Sequence, residues 1–172
     1  MKNCIEKITN CRLDSLTFNQ ASLPVKFGGL GIRLTADIYL PAFIASSIKC
    51  ISIVEKLILP SDGTYFSILL SEATIIAWLG KLYRPRLVKP AGDARQRQKG
   101  WDLPVAKMVL TDLSNGATAP TTKARLLAVS SPHASDWLNA IPVPSLGLKL
   151  DDESLRIAVA LRLGVQIAMP YE

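Results

Sequence analysis

Histidine and cysteine are scarce in this chain: His133 is the single histidine, and Cys4, Cys11 and Cys50 are the three cysteines, in 172 residues. One imidazole excludes a histidine-built metal cage and leaves no second group of that kind for general base chemistry. An odd number of cysteines without C-x-x-C encodes neither a disulfide framework nor a zinc site. No metal and no cofactor are therefore expected, and a reducing, intracellular compartment is the default, nucleus or cytoplasm left open. Long apolar runs are missing too. The richest, Ile38 to Leu59, is interrupted by Pro41, Lys49, Glu55 and Lys56, whereas a membrane span needs about 20 largely uncharged residues. Met1-Lys2-Asn3-Cys4-Ile5-Glu6-Lys7 meets charge before any apolar stretch forms, so a non-secreted chain is expected. Low hydrophobicity is absent as well: 49% of residues are hydrophobic and 20% charged. That balance excludes a disordered tail and allows one domain or two small ones around a real core.

Acidic residues are rare in one window. Between Lys81 and Lys107, eight Lys and Arg face Asp93 and Asp102 alone, so the whole formal net charge of +6 sits there and the rest of the chain is neutral. A single basic patch points to a polyanionic partner, with a charged, solvated linker as the alternative. Within it, Arg95-Gln96-Arg97-Gln98-Lys99 alternates cation with amide and then meets Trp101. Cations neutralise phosphates, amides bond sugars or bases, and an indole either stacks on a base or belongs to the core. Arg84, Arg86, Lys89, Arg95, Arg97 and Lys99 are the candidate phosphate contacts, chosen by position in the patch.

Periodicity elsewhere is helical. Ile44, Ile48, Ile51, Val54, Leu57 and Ile58 predict one core stripe on a helix from about 36 to 59, with Pro41 in its first turn. A second helix is expected over 65–79, carrying Phe66, Leu69, Leu70, Ile75, Ile76 and Trp78. After Trp101, Asp102 reads as an N-cap, Pro104 as a first-turn residue and Gly116 as a stop. Short helices follow over 123–129 and around Asp136-Trp137-Leu138, and a last one opens at Asp151-Asp152-Glu153, with Leu155, Ala158, Val159 and Leu161 within it and Gly164 after it. Ala21 to Phe27 reads as a short extended segment leading into the turn of Gly28, Gly29 and Gly31. The fold class is mostly α, a helical bundle. Its expected organisation is a connector and glycine-rich turn over 1–35, two helices over 36–80, a basic linker over 81–100 and a small helical region over 101–172.

Three constellations could carry chemistry, and each has a plainer reading. Gly29-Leu30-Gly31 lacks the third glycine of a dinucleotide fingerprint, where Leu34 stands, and no βαβ pattern surrounds it, so a structural turn is expected. Asp151-Asp152 has the form of a two-metal carboxylate pair, yet an amphipathic helix follows directly, and capping explains it. Ser130, Ser131, His133 and Asp136 hold triad residue types within seven positions, whereas triads converge from separate segments. No catalytic residue is assigned.

Leu23-Pro24-Val25-Lys26-Phe27-Gly28-Gly29-Leu30-Gly31-Ile32-Arg33 resembles the segment just after the palm in reverse transcriptases of non-LTR (LINE-like) retrotransposons, where a G-G-L-G-I turn leads into the helical thumb. Leu40-Pro41-Ala42-Phe43-Ile44-Ala45-Ser46 resembles the helix that follows, and Arg95-Gln96-Arg97-Gln98-Lys99-Gly100-Trp101-Asp102 is similar to that family's R-Q-K-x-W-D pattern. Ala124-Arg125-Leu126-Leu127-Ala128, Trp137-Leu138-Asn139-Ala140-Ile141-Pro142, Leu146-Gly147-Leu148 and Leu155 through Gly164 continue in the same order. The resemblance covers about residues 15 to 172. It implies a thumb and post-thumb region of an RNA-directed DNA polymerase, one that grips a primer–template duplex. The family's catalytic aspartates lie upstream of the glycine turn, in a segment this chain does not include, so the resemblance implies a non-catalytic fragment. The partners expected are RNA or DNA, bound without sequence preference, and no membrane. Self-association through exposed apolar surface, a helical protein-interaction module, or a pseudogene remnant without function are the alternatives.

Overall fold

The computed structural model describes residues 1–57, 72, 74–80 and 90–167, and among these every regular element is a helix. In order they are α1 (Lys2–Thr9), α2 (Ser15–Ser22), α3 (Thr35–Leu57), α4 (74–80), α5 (Gln98–Gly116), α6 (Pro120–Val129), α7 (Asp136–Asn139) and α8 (Asp152–Leu163). Short 3-10 turns occupy Val25–Phe27, Gly92–Gln96 and Pro144–Leu146. The mostly α class follows from the helical periodicity and the paucity of β-branched alternation.

Two compact units divide the chain. One joins Met1–Arg33 to Met108–Glu172, and the other is Leu34–Lys107. The first is discontinuous because its core draws on both ends. Ile5, Cys11, Leu13 and Ala21 pack with Val159, Ala160 and Leu163, and Phe18, Leu30, Ile32 and Trp137 close over them. In the second unit α3 packs on the Gly92–Gln96 turn. Its buried residues include Pro41, Ile44, Ala45, Ile75, Trp78, Trp101, Val105 and Ala106.

Local chemistry sets the helix ends. Asp14 caps α2 by accepting the Thr17 N–H at 2.7 Å. Asp151 caps α8, accepting the Ser154 N–H at 2.8 Å and its hydroxyl at 2.7 Å. Gly164 ends α8 at φ 68, the left-handed conformation that glycine adopts without penalty. Pro120 opens α6 as its first residue, where its missing N–H is harmless, so that helix begins three residues before the expected position.

Several expectations are corrected. The extended segment over 21–27 shrinks to Leu23 and Pro24, because α2 runs to Ser22 and a 3-10 turn follows. α5 starts at Gln98, so Asp102 is not its cap, and Pro104 lies inside the helix rather than in the first turn. Pro41 likewise lies within α3 beyond the first turn, and it is buried. On α3, Leu57 is exposed. On α4, Ile75 and Trp78 are buried while Ile76 is exposed; Phe66, Leu69 and Leu70 lie outside the described residues.

The last helix has an unexpected inner face. Leu155 and Leu161 are exposed, whereas Val159, Ala160, Arg162 and Leu163 are buried. The inner face of the helix thus includes a charged residue, Arg162. No helix among the described residues is long and apolar enough to cross a membrane.

Candidate nucleic-acid interface

The described part of the basic window, from residue 90 on, is displayed from a fixed support in the second unit. Trp101 is fully buried and meets Trp78 edge to face, with ring centroids 5.1 Å apart at 90°, a favoured aromatic geometry. Its indole N–H donates to the Arg95 carbonyl at 2.8 Å. The Arg97 N–H donates to Ala94 and the Gly100 N–H to Arg97. Gly100 packs so close to the Ala94 carbonyl that a side chain there would overlap it. These contacts pin the Arg95 end of Arg95-Gln96-Arg97-Gln98-Lys99 to the tryptophan, and the bond from Gly100 to Arg97 tightens the turn into α5.

Arg95, Arg97 and Lys99 are all exposed. No ion pair ties any of the three to a described residue, so their charge faces solvent. Arg84, Arg86 and Lys89 lie outside the described residues. Trp101 is the anchor of this segment and cannot stack on a base, which corrects the stacking option read from its position. Three cations within five residues can neutralise successive phosphates but read no base identity.

The glycine turn belongs to the first unit and is closed. Gly28 donates to Val25, Gly29 to Pro24, Leu30 and Ile32 to Ala21, and Gly31 to Leu23. No N–H of the turn remains to cradle a phosphate. Gly29 lies against the Leu23 carbonyl, where any side chain would collide, and Gly28 and Gly31 take φ of 84 and 72. Gly28, Gly29 and Gly31 are therefore a structural turn with a conformational reason at each position.

An arginine fills the space behind that turn. The guanidinium of Arg162, a residue 4% exposed, donates from Nε to Gly29 O at 3.1 Å and from Nη1 to Ala134 O at 3.0 Å. Its Nη2 donates to Val25 O at 2.6 Å and Ser135 Oγ at 2.8 Å. The Arg162 carbonyl in turn accepts from Gln20 Nε2 and Arg125 Nη1. Gln20 also donates to Gly28 O at 3.1 Å, and its Oε1 accepts from Arg125 Nη1 at 3.0 Å. All these partners are neutral, and burial pulls both guanidinium groups below their ordinary pKa. Sequence reasoning passed over Gln20, Arg125, Ser135 and Arg162. The one signal was Arg162 standing beside Leu163 immediately before a helix-ending glycine.

The remaining constellations resolve into local bonds. Ser130 Oγ donates to Leu126 O and Ser131 Oγ to Ala128 O, at 2.6 Å each. His133 Nδ1 lies 2.9 Å from Asp136 Oδ2 in an exposed pair. The two serine hydroxyls are thus directed at helix carbonyls, not at the imidazole. Among the described residues no group of three His, Cys, Asp or Glu is placed to hold a metal ion. No family model, no curated protein and no solved structure matches the chain.

Proposed function

We propose that the chain is a non-catalytic, thumb-like fragment of a retrotransposon reverse transcriptase that contacts nucleic acid through its basic segment, without sequence preference. The observation that carries this reading is the display of Arg95, Arg97 and Lys99, exposed on a segment whose Arg95 end is pinned by Trp101. A pinned cationic segment loses little freedom on binding, so each phosphate contact contributes close to its full electrostatic share. The ordered blocks that resemble the LINE-like family supply the larger context, and no catalysis is assigned to any residue here.

Fluorescence anisotropy with an RNA–DNA hybrid and a DNA duplex, across a salt series, tests it. Binding with a log–log salt slope steeper than about −3 supports several neutralised phosphates, since each contributes about −0.9 on duplex DNA. A folded sample that shows no binding at low salt overturns the reading.

A second reading, a helical protein-interaction or self-association module, rests on a different observation. Ile141, Leu146 and Leu148 lie 78%, 71% and 59% exposed in the segment before α8. Clustered exposed apolar residues mark contact surfaces. Sedimentation at increasing concentration separates the two readings: a mass that rises favours self-association, and a constant monomer removes it.

A further inference from the structure

We infer that the outer face of α3 is a homodimer seam, which forms a parallel helix pair with α3 of a second copy of this chain. The seam lies in the second unit. It shares no residue with the basic segment or with the exposed Ile141, Leu146 and Leu148 of the first unit, so it is independent of both readings of function.

α3 carries two stripes on opposite sides. Pro41, Ile44 and Ala45 are buried and hold the helix to its own unit. On the other side Tyr39, Phe43, Ser46, Cys50, Ile53 and Leu57 are all exposed. Their steps of four, three, four, three and four residues alternate as the two apolar positions of a heptad do. None of the six is charged, and Tyr39, Phe43, Ile53 and Leu57 are large side chains that stand 46% to 80% exposed. The solvent face of a helix that packs on its own core alone is ordinarily polar. An apolar line of this period fits one straight partner, another helix, along about 27 Å. Because the buried stripe already holds α3 in shape, pairing costs no helix formation.

Layering, flanking charge and area select a second copy as that helix. Large residues stand at both ends of the line and the small Ser46 and Cys50 in its middle. Two copies in register therefore meet like with like, and the small central layers let the backbones approach; such a patch is self-complementary. Lys49 and Lys56 flank the line on one side, whereas Leu40 and Ser47 on the other carry no charge. In a parallel pair each lysine flank faces the uncharged flank of the other copy. An antiparallel pair would set Lys49 beside Lys49, so charge selects the parallel alignment. The four large side chains leave on the order of 500 Å² exposed on each copy, at about 200 Å² for a whole large side chain. Two copies cover on the order of 1,000 Å², the lower bound of a specific interface. The dimer is therefore weak, with a Kd of about 1 to 100 μM.

Sedimentation equilibrium of the whole chain in reductant, at concentrations spanning that range, should show monomer and dimer in exchange. Phe43→Glu and Ile53→Glu put charge on exposed positions, should leave the circular dichroism of the monomer unchanged, and should weaken the dimer at least about tenfold. Ser46→Leu fills a small layer of the seam and should tighten the dimer about fivefold or more, a gain that misfolding does not produce. Leu146→Glu, in the other unit, should leave the affinity within about twofold. Added salt should not weaken the dimer, which separates it from copies bridged by nucleic acid. Cys4→Ser removes the other exposed thiol. In that background mild oxidation should link Cys50 to Cys50 of the second copy, because parallel alignment sets them opposite each other at the Cα separation of about 4.4–6.8 Å that a disulfide needs. A monomer throughout the range, a mass beyond the dimer, a dimer dissolved by salt, or one broken by Leu146→Glu and not by Ile53→Glu overturns the inference. A dimer that Ile53→Glu breaks but that forms no Cys50 link overturns its parallel alignment.

Discussion

Arg162 donates from Nε to the carbonyl oxygen of Gly29 at 3.1 Å, across a sequence separation of 133 residues. One bond of this group thus reaches the glycine turn while two others reach Ala134 and Ser135 at the start of α7. The guanidinium does in this unit what a strand ladder does in a sheet: it supplies donors to the Gly29 and Ala134 carbonyls and adds one to the Val25 carbonyl that Gly28 already satisfies.

Replacing Arg162 should therefore unravel more than a charge. Arg162→Met keeps the length of the side chain but strands the Gly29 and Ala134 carbonyls, for an expected loss of about 3 kcal/mol or more. Arg162→Lys should recover part of it, because one ammonium cannot reach every acceptor of a planar fork. The neighbouring exposed Leu161→Ala should stay within about 1 kcal/mol. Urea denaturation midpoints of the three variants check the order.

Glycine positions separate cleanly. Gly29→Ala drives a methyl group into the Leu23 carbonyl and should cost about 2 kcal/mol or more. Gly116 lies at the end of α5 with open space around it. Gly116→Ala should stabilise by a few tenths up to about 1 kcal/mol through helix propensity and a stiffer unfolded chain. Thermal unfolding followed by circular dichroism distinguishes the two signs.

The two tryptophans should respond differently to loss of their N–H. Trp101→Phe removes the bond to the Arg95 carbonyl and should cost about 1 to 2 kcal/mol. The Trp78 indole nitrogen is buried with no hydrogen-bond partner among the described residues, so Trp78→Phe should be the milder of the pair. Unfolding midpoints by chemical denaturation give the comparison, and Trp101→Phe should also weaken any nucleic-acid binding by loosening Arg95 and Arg97.

For the basic segment itself, changing Arg95, Arg97 and Lys99 together to Ala should lower the salt slope by about 2.7 on duplex DNA. Affinity should fall alike for unrelated sequences. A loss confined to one sequence would contradict phosphate contact.

Acid should erase the two aspartate caps. Bonds from the Thr17 backbone N–H and side chain hold the Asp14 carboxyl below its ordinary value, and those from the Ser154 N–H and hydroxyl do the same for Asp151. A carboxyl depressed in the folded state contributes stability that is complete above its unfolded pKa, about 3.9, and lost as pH falls through the folded one. Asp151→Ala should therefore be less stable than the parent at pH 7, and the gap should narrow below about pH 4. Stability measured from pH 3 to 7 shows whether the curves converge.

Helix order was legible from periodicity and from end signals such as Asp151, Gly116 and Gly164, each of which acts within one turn of its own position. What stayed hidden depends on distant partners. Leu161 looks like core and Arg162 like surface until the carbonyls of Val25, Gly29 and Ala134 are brought to the same place, and nothing near residue 162 announces them. Pro104 suggested a helix start because a proline inside a helix loses a bond. The actual start is at Gln98, six residues earlier, where the Trp101 indole and Gly100 dock the preceding turn. Of the candidate site, the exposure of Arg95, Arg97 and Lys99 agrees with their charge pattern, whereas the role of Trp101 was open between stacking and core until its burial was known.

The closed glycine turn has a consequence for the chain's birth on the ribosome. Gly29 is made well before its carbonyl's partner, Arg162, which follows about 7 to 27 seconds later at ordinary elongation rates of about 5 to 20 residues per second. The whole of Leu34–Lys107 is synthesised in that interval. The N-terminal helices thus emerge with their apolar faces uncovered, and they depend on a late arrival to be sealed.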